Sequence, residues 1–292
     1  MESAEIYKLV QDRYGELADR SSTADQDRPE ESVAKAFGYD ASELSTIPQD
    51  ANLGVGCGNP LAVANIREGE TVIDLGSGGG IDVLLAAKKV GPTGRSIGVD
   101  MTKSMLALAQ KNAEKAGASN VSFVESSITS IPLPDSTANC IISNCVVNLV
   151  PAPEKPVAFQ EMFRLLVPGG RVAISDILTR KVLPDEVAND LSLYVGCIAS
   201  ASQIHEYENY LRNAGFKDIV IVDTQKDLNV FKGMFQDQKE NGPPLGCCPP
   251  KPSSCCGTSK PADKSGGELL ARDFNEWAGR PLQTLFPDQH RD

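Results

Sequence analysis

Histidine is nearly absent from this 292-residue chain, which contains only His205 and His290. Histidine is the commonest side-chain ligand of metals in proteins, so a histidine-based metal site is improbable. Positive charge is also scarce, with 28 Lys and Arg against 39 Asp and Glu and a net charge of −11. This balance argues against general affinity for nucleic acid or anionic membranes, and neither is expected as a partner.

Long apolar runs are lacking too. No stretch of 18 apolar residues occurs, and the acidic start Met1–Glu5 lacks the apolar core of a signal peptide. We therefore expect a cytoplasmic protein whose eight cysteines are reduced. Disulfide scaffolds are typical of small secreted domains, whereas a chain of this length with 41% hydrophobic residues can bury a large core. The cysteines therefore need another explanation.

A glycine-rich turn, Asp74–Gly80, lies between a β-branched run at Thr71–Ile73 and an apolar segment at Ile81–Lys89. This order predicts a buried strand, a tight turn and a helix whose N-terminal N–H groups face a ligand. A dinucleotide-binding turn has the pattern G-x-G-x-x-G, but here Ile81 replaces the last glycine. The carboxylate of Asp74 would repel phosphate and attract an ammonium group. The turn therefore favours S-adenosylmethionine, which has a zwitterionic amino-acid end and no phosphate.

The next predicted strand, Ser96–Asp100, ends in a carboxylate that can accept two hydrogen bonds from ribose hydroxyls. Thr102 is the predicted N-cap of a helix that runs to about Ala116. After a third strand, Ser126 and Ser127 are expected near the adenine ring.

Strands and helices alternate along the chain. Strands are predicted at 71–73, 96–100, 121–125, 140–144 and 171–176, with a closing antiparallel pair at 216–224 and 228–235; helices are predicted at 2–17, 31–37, 81–89, 102–116, 153–166, 185–199 and 202–213. The alternation predicts an α/β, Rossmann-like fold with a mostly parallel seven-stranded sheet and helices on both faces, plus an N-terminal cap and a C-terminal extension. Ligands bind at the carboxyl ends of the strands in such sheets.

Three cysteines are predicted to face that same edge. Cys145 ends the fourth strand, Cys57 lies in the loop Leu53–Pro60, and Cys197 lies near the end of the 185–199 helix. The flanking glycines predict an accessible Cys57 thiol. Soft thiolates favour a thiophilic ion, and separations of 88 and 52 residues differ from the close pairs of zinc fingers. Cys140, inside a strand, is interpreted as a buried structural residue.

The composition changes after residue 242. A Pro-rich linker at 243–267 carries the pairs Cys247-Cys248 and Cys255-Cys256, and a short helix is predicted at Glu268–Trp277. The predicted parts are therefore a cap with the cysteine loop (1–60), a cofactor-binding core (61–180), a cysteine helix with the closing strands (181–242), the linker (243–267) and a tail (268–292).

Four segments resemble arsenite methyltransferases, namely Gly56–Pro60, Val72–Gly78, Ser143–Leu149 and Gly196–Cys197. The resemblance runs from the N-terminal helix to about residue 235. It implies a class I enzyme that methylates thiol-bound trivalent arsenic, as arsenite or methylarsenite, with S-adenosylmethionine. By this resemblance Cys145 and Cys197 hold arsenic, and Cys57 joins them or acts as their redox partner.

The resemblance also implies a thiol reductant, glutathione or thioredoxin, as co-substrate. Many family members have a further cysteine after the N-terminal Tyr-Gly pair, whereas residues 16–30 here contain none. The C-terminal pairs or an external thiol would have to replace it. These pairs are further candidate arsenic ligands, or else oxidisable thiols of a flexible tail.

Ten residues are expected to contact the cofactor: Tyr14, Asp74, Gly76, Ser77, Gly78, Asp100, Met101, Ser127, Ile128 and Asn144. We expect a monomer. Two alternatives remain open. One is methylation of a small organic molecule, such as a quinone or sterol, which leaves the cysteines unexplained. The other is a non-catalytic arsenic-sequestering protein, against which the intact Asp74 and Asp100 argue.

Overall fold

The computed structural model describes residues 2–21, 29–231 and 282–285. The predicted linker at 243–267, its four cysteines and the predicted helix Glu268–Trp277 lie outside the described residues. The division into five parts stays a prediction.

The described strands and helices follow in chain order. The strands are β1 (Thr71–Leu75), β2 (Arg95–Asp100), β3 (Val121–Glu125), β4 (Ala138–Asn144), β5 (Leu166–Asp176), β6 (Val220–Asp223) and β7 (Leu282–Leu285). The helices are α1 (Ser3–Ser21), α2 (Pro29–Ala36), α3 (Ala41–Leu44), α4 (Ile81–Val90), α5 (Lys103–Ala116), α6 (Lys155–Leu165), α7 (Asp185–Ala188), α8 (Leu191–Val195) and α9 (Ile204–Ala214). Among these helices, none combines the length and apolar character needed to cross a membrane.

The strands form one sheet in the order β3-β2-β1-β4-β5-β7-β6. Strands β1 to β5 pair in parallel, and β7 pairs antiparallel with both β5 and β6. The predicted class, a mostly parallel α/β sheet of Rossmann-like type, is confirmed. Since β1 lies between β2 and β4, the strand order reverses there, and a crevice opens at the carboxyl ends of β1 and β4.

Alternate strand residues pack on opposite faces of the sheet, as the two-residue period of a strand requires. Ile73 belongs to a core cluster with Phe159 of α6 and Leu211 of α9. Its neighbour Val72 belongs to a second cluster with Leu84 of α4. Burial on both faces explains why the central strands consist of apolar runs, and it holds their carboxyl ends in fixed positions.

The predicted strand at 228–235 is wrong. The described part, Leu228–Phe231, is a short 3-10 helix, which begins where the Asp227 side chain accepts a hydrogen bond from the Asn229 backbone N–H at 2.9 Å. The antiparallel partner of β6 is instead β7, which comes from the C-terminal tail and inserts between β5 and β6.

The predicted helix at 185–199 is also wrong as a single element. It divides into α7 and α8 because the Asp190 side chain accepts a hydrogen bond from the Leu193 N–H at 2.9 Å and caps a new helix. Helix α8 ends before Gly196, so Cys197 lies on the turn after a helix and not on the helix itself.

Candidate functional site

The glycine turn after β1 adopts a conformation that other residues tolerate poorly. Gly76 has φ of +70°, and a Cβ there would lie 2.3 Å from a Val146 methyl group. Gly78 has φ of +50°, and a Cβ there would meet nothing within 4 Å. Gly76 therefore allows the turn to pack against Val146, next to Cys145, while Gly78 leaves its backbone open to a ligand.

Asp100, at the end of β2, supports this turn directly. Its carboxylate accepts hydrogen bonds from the backbone N–H groups of Gly78 at 2.9 Å and Thr102 at 2.8 Å. A carboxylate has about four acceptor positions, so it can still accept hydrogen bonds from hydroxyl groups of a ligand. The sequence identified this residue but not its role in holding the turn.

A second acidic group lies on the other side of the turn. Asp74 is 2% exposed, and burial, together with the nearby carboxylates of Asp82 and Asp100, raises its pKa well above the usual value. Within the described residues, no group donates a hydrogen bond to the Asp74 side chain. A buried carboxylate without a partner is unfavourable, and a cationic ligand would relieve it.

Asp82, in the first turn of α4, has partners that Asp74 lacks. It accepts hydrogen bonds from the Tyr39 hydroxyl at 2.7 and 2.9 Å and from the Asn144 amide at 3.3 Å. Burial raises the pKa of Asp82 to about 6 even though these bonds lower it. The two buried carboxyl groups of Asp74 and Asp82 together form an acidic end of the crevice.

Two adjoining pockets line the crevice on either side of Gly76, Gly78 and Asn144. The first is lined by Tyr7, Val10, Tyr14, Val55, Gly76, Gly78, Asp100, Met101, Thr102, Met105, Ser126, Ser127, Ile128, Asn144, Cys145, Val146, Leu149 and Val150. The second is lined by Val33, Ala34, Tyr39, Ala51, Asn52, Leu53, Gly54, Val55, Gly56, Asp74, Gly76, Ser77, Gly78, Gly79, Ile81, Asp82 and Asn144. All ten residues predicted to contact the cofactor lie in one or both linings, and their roles stay a prediction.

The linings fit S-adenosylmethionine better than a dinucleotide. They contain no lysine or arginine among the described residues, so a pyrophosphate would find no cationic side chain. The unpartnered Asp74 carboxylate instead suits an ammonium group, and the open backbone at Gly78 suits close approach of a ligand.

Several lining residues were not predicted. Tyr7 and Val10 join Tyr14 on one face of α1, which covers the first pocket. Their spacing of three and four residues indicated a helix face but not what it would cover. Tyr39 and Asp82 also line the second pocket. Tyr39 had no sequence signal, whereas the position of Asp82 directly after the glycine turn could have identified it.

Cys57, Cys145 and Cys197 lie together in one buried cluster beside this crevice. They are 0%, 5% and 2% exposed. The Cys57 thiol donates to the Ser175 carbonyl at 3.4 Å, and the Cys197 thiol donates to the Cys145 carbonyl at 2.8 Å. Of the three cysteines, Cys145 alone lines the first pocket, so the thiol cluster adjoins the cavity beside the glycine turn through this residue.

The expected exposure of the Cys57 thiol is wrong. The loop is held against β4 because Cys57 N–H donates to the Asn144 side chain at 3.1 Å, and the Asn144 amide donates to the Gly58 carbonyl at 2.9 Å. A Cβ at Gly56 would lie 2.7 Å from the Asn144 amide nitrogen. The flanking glycine therefore permits close packing of the loop and does not expose the thiol.

The backbone at two of the cysteines is strained. Cys145 has φ of +61° and Cys197 has φ of +62°, a region that residues with a Cβ seldom adopt. The Cys145 N–H donates to the Ser175 carbonyl of β5 at 2.7 Å, which holds this conformation. Such strain occurs most often at functional sites, where the surrounding structure fixes a side chain in one direction.

The thiols are neutral in this environment. Burial raises the pKa of Cys57 to about 11, and a hydrogen bond with Cys145, together with burial, raises the pKa of Cys197. Tyr14 of α1 also lies near them, since burial and the three cysteines raise the pKa of its hydroxyl. The cluster can therefore bind an electrophilic ion through its sulfur atoms. Each thiol proton would leave with a ligand that the ion brought with it.

The chain is similar to known methyltransferases in sequence and in structure. A family profile described as a methyltransferase domain matches residues 66–215. An arsenite methyltransferase of Halobacterium salinarum is 47% identical over 195 residues, which are 67% of this chain and 49% of that protein. The chain thus spans about half the length of the curated arsenite methyltransferases of Halobacterium salinarum and Aquipseudomonas alcaligenes, both of which it matches.

Two further similarities are to a solved structure and to a second type of curated methyltransferase. The crystal structure of an arsenic(III) S-adenosylmethionine methyltransferase from Chlamydomonas reinhardtii has a TM-score of 0.54 and 26% identity, over 89% of this chain and 73% of that chain. A ubiquinone/menaquinone biosynthesis C-methyltransferase of Salmonella newport is 31% identical over 179 residues, which are 53% of this chain and 70% of that protein.

Proposed function

This chain belongs to the methyltransferase-domain family, and we propose that it transfers methyl groups from S-adenosylmethionine to trivalent arsenic held by its cysteine sulfurs. The substrates are arsenite and methylarsenite, which reach the site as thiol conjugates. The observation that carries this proposal is the burial of Cys57, Cys145 and Cys197 in one cluster beside the cofactor crevice. The similarity to two arsenic methyltransferases supports it.

The chain's own residues hold the methyl donor at both ends. Asp74 would hold the amino group, Asp100 would accept hydrogen bonds from the ribose, and Ser127 and Ile128 would pack against the adenine; all four residues line the two pockets. When bound, S-adenosylmethionine supplies an electrophilic methyl group on a sulfonium. Tyr7 and Tyr14 of α1 line the same pocket and would cover the bound donor from that side.

The cysteines load arsenic without a general base. Each thiol of Cys57, Cys145 and Cys197 forms an As–S bond by displacing one thiol ligand of the arsenite conjugate, and its proton leaves with that displaced thiol, so the conjugate releases three thiols. A methylarsenite conjugate has two exchangeable ligands, so it binds two of the sulfurs and releases two thiols. Arsenic bound by three sulfurs keeps a lone pair, which is the nucleophile toward carbon. Neutral thiols suit this exchange, which agrees with the raised pKa of Cys57.

Positioning is the main contribution of the protein. The left-handed backbone at Cys145 and Cys197 restricts the directions in which their sulfurs can point, and Cys145 places one sulfur in the lining of the cofactor pocket. Holding two reactants in a productive geometry can lower a barrier by roughly 7–11 kcal/mol. The apolar surroundings of the cluster also exclude water, which would compete for the arsenic.

The test is incubation of the purified chain with arsenite, glutathione and S-adenosylmethionine, followed by arsenic speciation. We expect methylated arsenic from the wild-type chain. Cys145→Ser and Cys197→Ser should make none but still bind S-adenosylmethionine. Cys140→Ser is the matched control, because Cys140 is equally buried but lies in a different core cluster. Full activity of both site variants would refute the proposal.

Methylation of a small organic substrate is the second candidate, favoured by the similarity to the quinone C-methyltransferase. It predicts that a quinone precursor consumes S-adenosylmethionine while arsenite does not. The first pocket is mostly apolar and could admit a ring, but this reading gives the three clustered thiols no role.

We propose a thiol reductant, glutathione or thioredoxin, as co-substrate, a monomeric state and a cytoplasmic location. We also propose that the pairs Cys247-Cys248 and Cys255-Cys256, which lie outside the described residues, bind additional As(III).

A further inference from the structure

One carboxylate lies among the thiols. A carboxylate oxygen of Asp176 and the sulfurs of Cys57 and Cys145 all lie within 4.8 Å of one another, and all three side chains are buried. Asp176 is the last residue of β5, next to β4, so the parallel sheet places it beside Cys145. The arsenic chemistry above uses sulfur alone and gives this carboxylate no part.

Asp176 is incompletely satisfied by its neighbours. It is 2% exposed, and one of its oxygens accepts a hydrogen bond from the Tyr207 hydroxyl at 2.9 Å. The other oxygen is buried with no hydrogen-bond partner among the described residues. Leaving a buried acceptor unpaired costs about 1–3 kcal/mol, and more for a charged group. Asp176 thus combines an oxygen that is unpaired among the described residues with a position beside two sulfur ligands, and a bound cation would satisfy both.

We propose that Cys57, Cys145 and Asp176 form a binding site for a thiophilic divalent cation of the Zn2+ or Cd2+ class, in addition to the proposed arsenic site. Two sulfurs and one oxygen are a donor set that such ions accept in tetrahedral geometry. Zn–S bonds of about 2.3 Å require sulfurs roughly 3.8 Å apart. The ligand atoms of the three side chains lie within 4.8 Å of one another, so small side-chain movements would bring them to bonding distance from one ion. A water from the adjoining cofactor pocket takes the fourth position.

Charge balance supports this set of three. Two thiols release their protons to solvent when the metal binds, so two thiolates and the Asp176 carboxylate bring three negative charges to a divalent ion. The remaining negative charge is offset by Lys155, a buried lysine whose positive charge acts on Asp176. Lys155 Nζ is itself held by the Ser202 hydroxyl at 2.9 Å and by the Ser200 carbonyl. A third thiolate from Cys197 would leave a buried charge unbalanced.

The two ions therefore use different parts of one cluster. Trivalent arsenic is pyramidal with three sulfurs and a lone pair, so it requires Cys197 and not Asp176. The divalent cation requires Asp176 and not Cys197, whose thiol keeps its bond to the Cys145 carbonyl. Since both ions take Cys57 and Cys145, they exclude each other. The cation site stands on the geometry alone, while this competition rests on the proposed function.

The experiment is an anaerobic titration with Co2+, which reports sulfur ligation by charge-transfer absorption and contains neither arsenic nor methyl donor. It uses the reduced 292-residue chain carrying Cys247→Ser, Cys248→Ser, Cys255→Ser and Cys256→Ser, so that the tail cysteines cannot bind. We expect one Co2+ per chain, at least tenfold weaker binding in Asp176→Asn, and unchanged binding in Cys197→Ser and in the control Cys140→Ser. As(III) binding should show the reverse, lost in Cys197→Ser and kept in Asp176→Asn.

Several results would overturn the proposal. These are absence of a Co–thiolate band in the parent chain, equal Co2+ affinity in Asp176→Asn, or equal loss of both ions in that variant. If Asp176→Asn does not fold, X-ray absorption of the zinc-loaded parent chain decides the question. Two sulfurs with two lighter ligands support the site, whereas a shell of three or four sulfurs contradicts it. Failure of arsenic methylation leaves all these readouts intact, so the two proposals fail separately.

Discussion

Replacing Asp74 by Asn should weaken cofactor binding and at the same time stabilise the ligand-free protein. In the ligand-free chain, Asp74 is a buried carboxylate near Asp82 and Asp100 with no donor among its described neighbours. In the complex, we propose that it faces the ammonium of S-adenosylmethionine. The Asn side chain has the same shape but no charge. It therefore removes both the cost of burying a carboxylate in the ligand-free protein and the attraction to the ammonium group in the complex.

The expected loss of affinity follows from the charge interaction. Two unit charges 4 Å apart attract by about 4 kcal/mol at an effective dielectric constant of about 20. Desolvation of the ammonium cancels part of this energy, and hydrogen bonds between charged groups contribute about 1.5–3 kcal/mol net. Asp74→Asn should therefore bind S-adenosylmethionine roughly 10-fold to 150-fold more weakly. S-adenosylhomocysteine has the same amino group and should lose a similar factor.

The expected gain in stability depends on pH. The folded pKa of Asp74 is raised, so the unfolded chain releases this proton at lower pH than the folded chain does. The free energy of unfolding of the wild type therefore falls as pH rises from the unfolded pKa to the folded pKa. The Asn variant does not lose stability in this way. Its free energy of unfolding should therefore exceed that of the wild type by nothing below about pH 4 and by the full amount above the folded pKa of Asp74. Each kcal/mol should raise Tm by about 2–4 °C for a domain of this size.

The assay pairs isothermal titration calorimetry with thermal unfolding at pH 4 and pH 8. Asp12→Asn is the matched control, since it removes the same charge from an exposed carboxylate on α1 that pairs with Lys8. It should change neither quantity. Wild-type affinity of Asp74→Asn for S-adenosylmethionine, or a lower Tm than the wild type at pH 8, would refute the reasoning.

Three further predictions concern the turn, the cysteine loop and the tail. In urea denaturation, Gly76→Ala should lower the free energy of unfolding by about 1–3 kcal/mol more than Gly38→Ala does. Both glycines have positive φ, but only a Cβ at Gly76 would meet Val146. Equal losses in the two variants would contradict this. Asn144→Ala should cost about 2–4 kcal/mol, since its side chain bonds to Cys57, Gly58, Tyr39 and Asp82. Asn139→Ala, which loses one bond to Thr71, should cost less, and the reverse order would refute the role of Asn144. The combined substitutions Cys247→Ser, Cys248→Ser, Cys255→Ser and Cys256→Ser should reduce the arsenic bound per chain, measured by mass spectrometry of the metalloid, to a single ion. An unchanged ratio would show that the tail cysteines do not bind arsenic.

The local sequence was sufficient to predict the strands and turns of the parallel sheet. Residues 71–100 combine an apolar run, glycines and an apolar helix, and each signal is contained within a few neighbouring positions. The tail strand β7 was not predictable in this way. Its pairing with β5 joins residues about a hundred positions apart, and four residues carry too little periodicity to indicate it.

The candidate site was predictable in its residue types but not in its environment. Cys57, Cys145 and Cys197 were found from their positions relative to the predicted strands. The burial of Cys57 depends on Asn144, 87 positions away, and no local pattern contains that contact. Asp176 could be placed at the end of a strand, but its position among the thiols depends on the neighbouring order of β4 and β5.

The most direct test of the arsenic site is arsenic speciation after one turnover with the wild-type chain and with Cys145→Ser, each first loaded with S-adenosylmethionine. The account predicts methylarsenic and an equal amount of S-adenosylhomocysteine from the wild type, and neither from the variant despite the bound donor. Equal yields of methylarsenic from both chains, or none from the wild type, would contradict it.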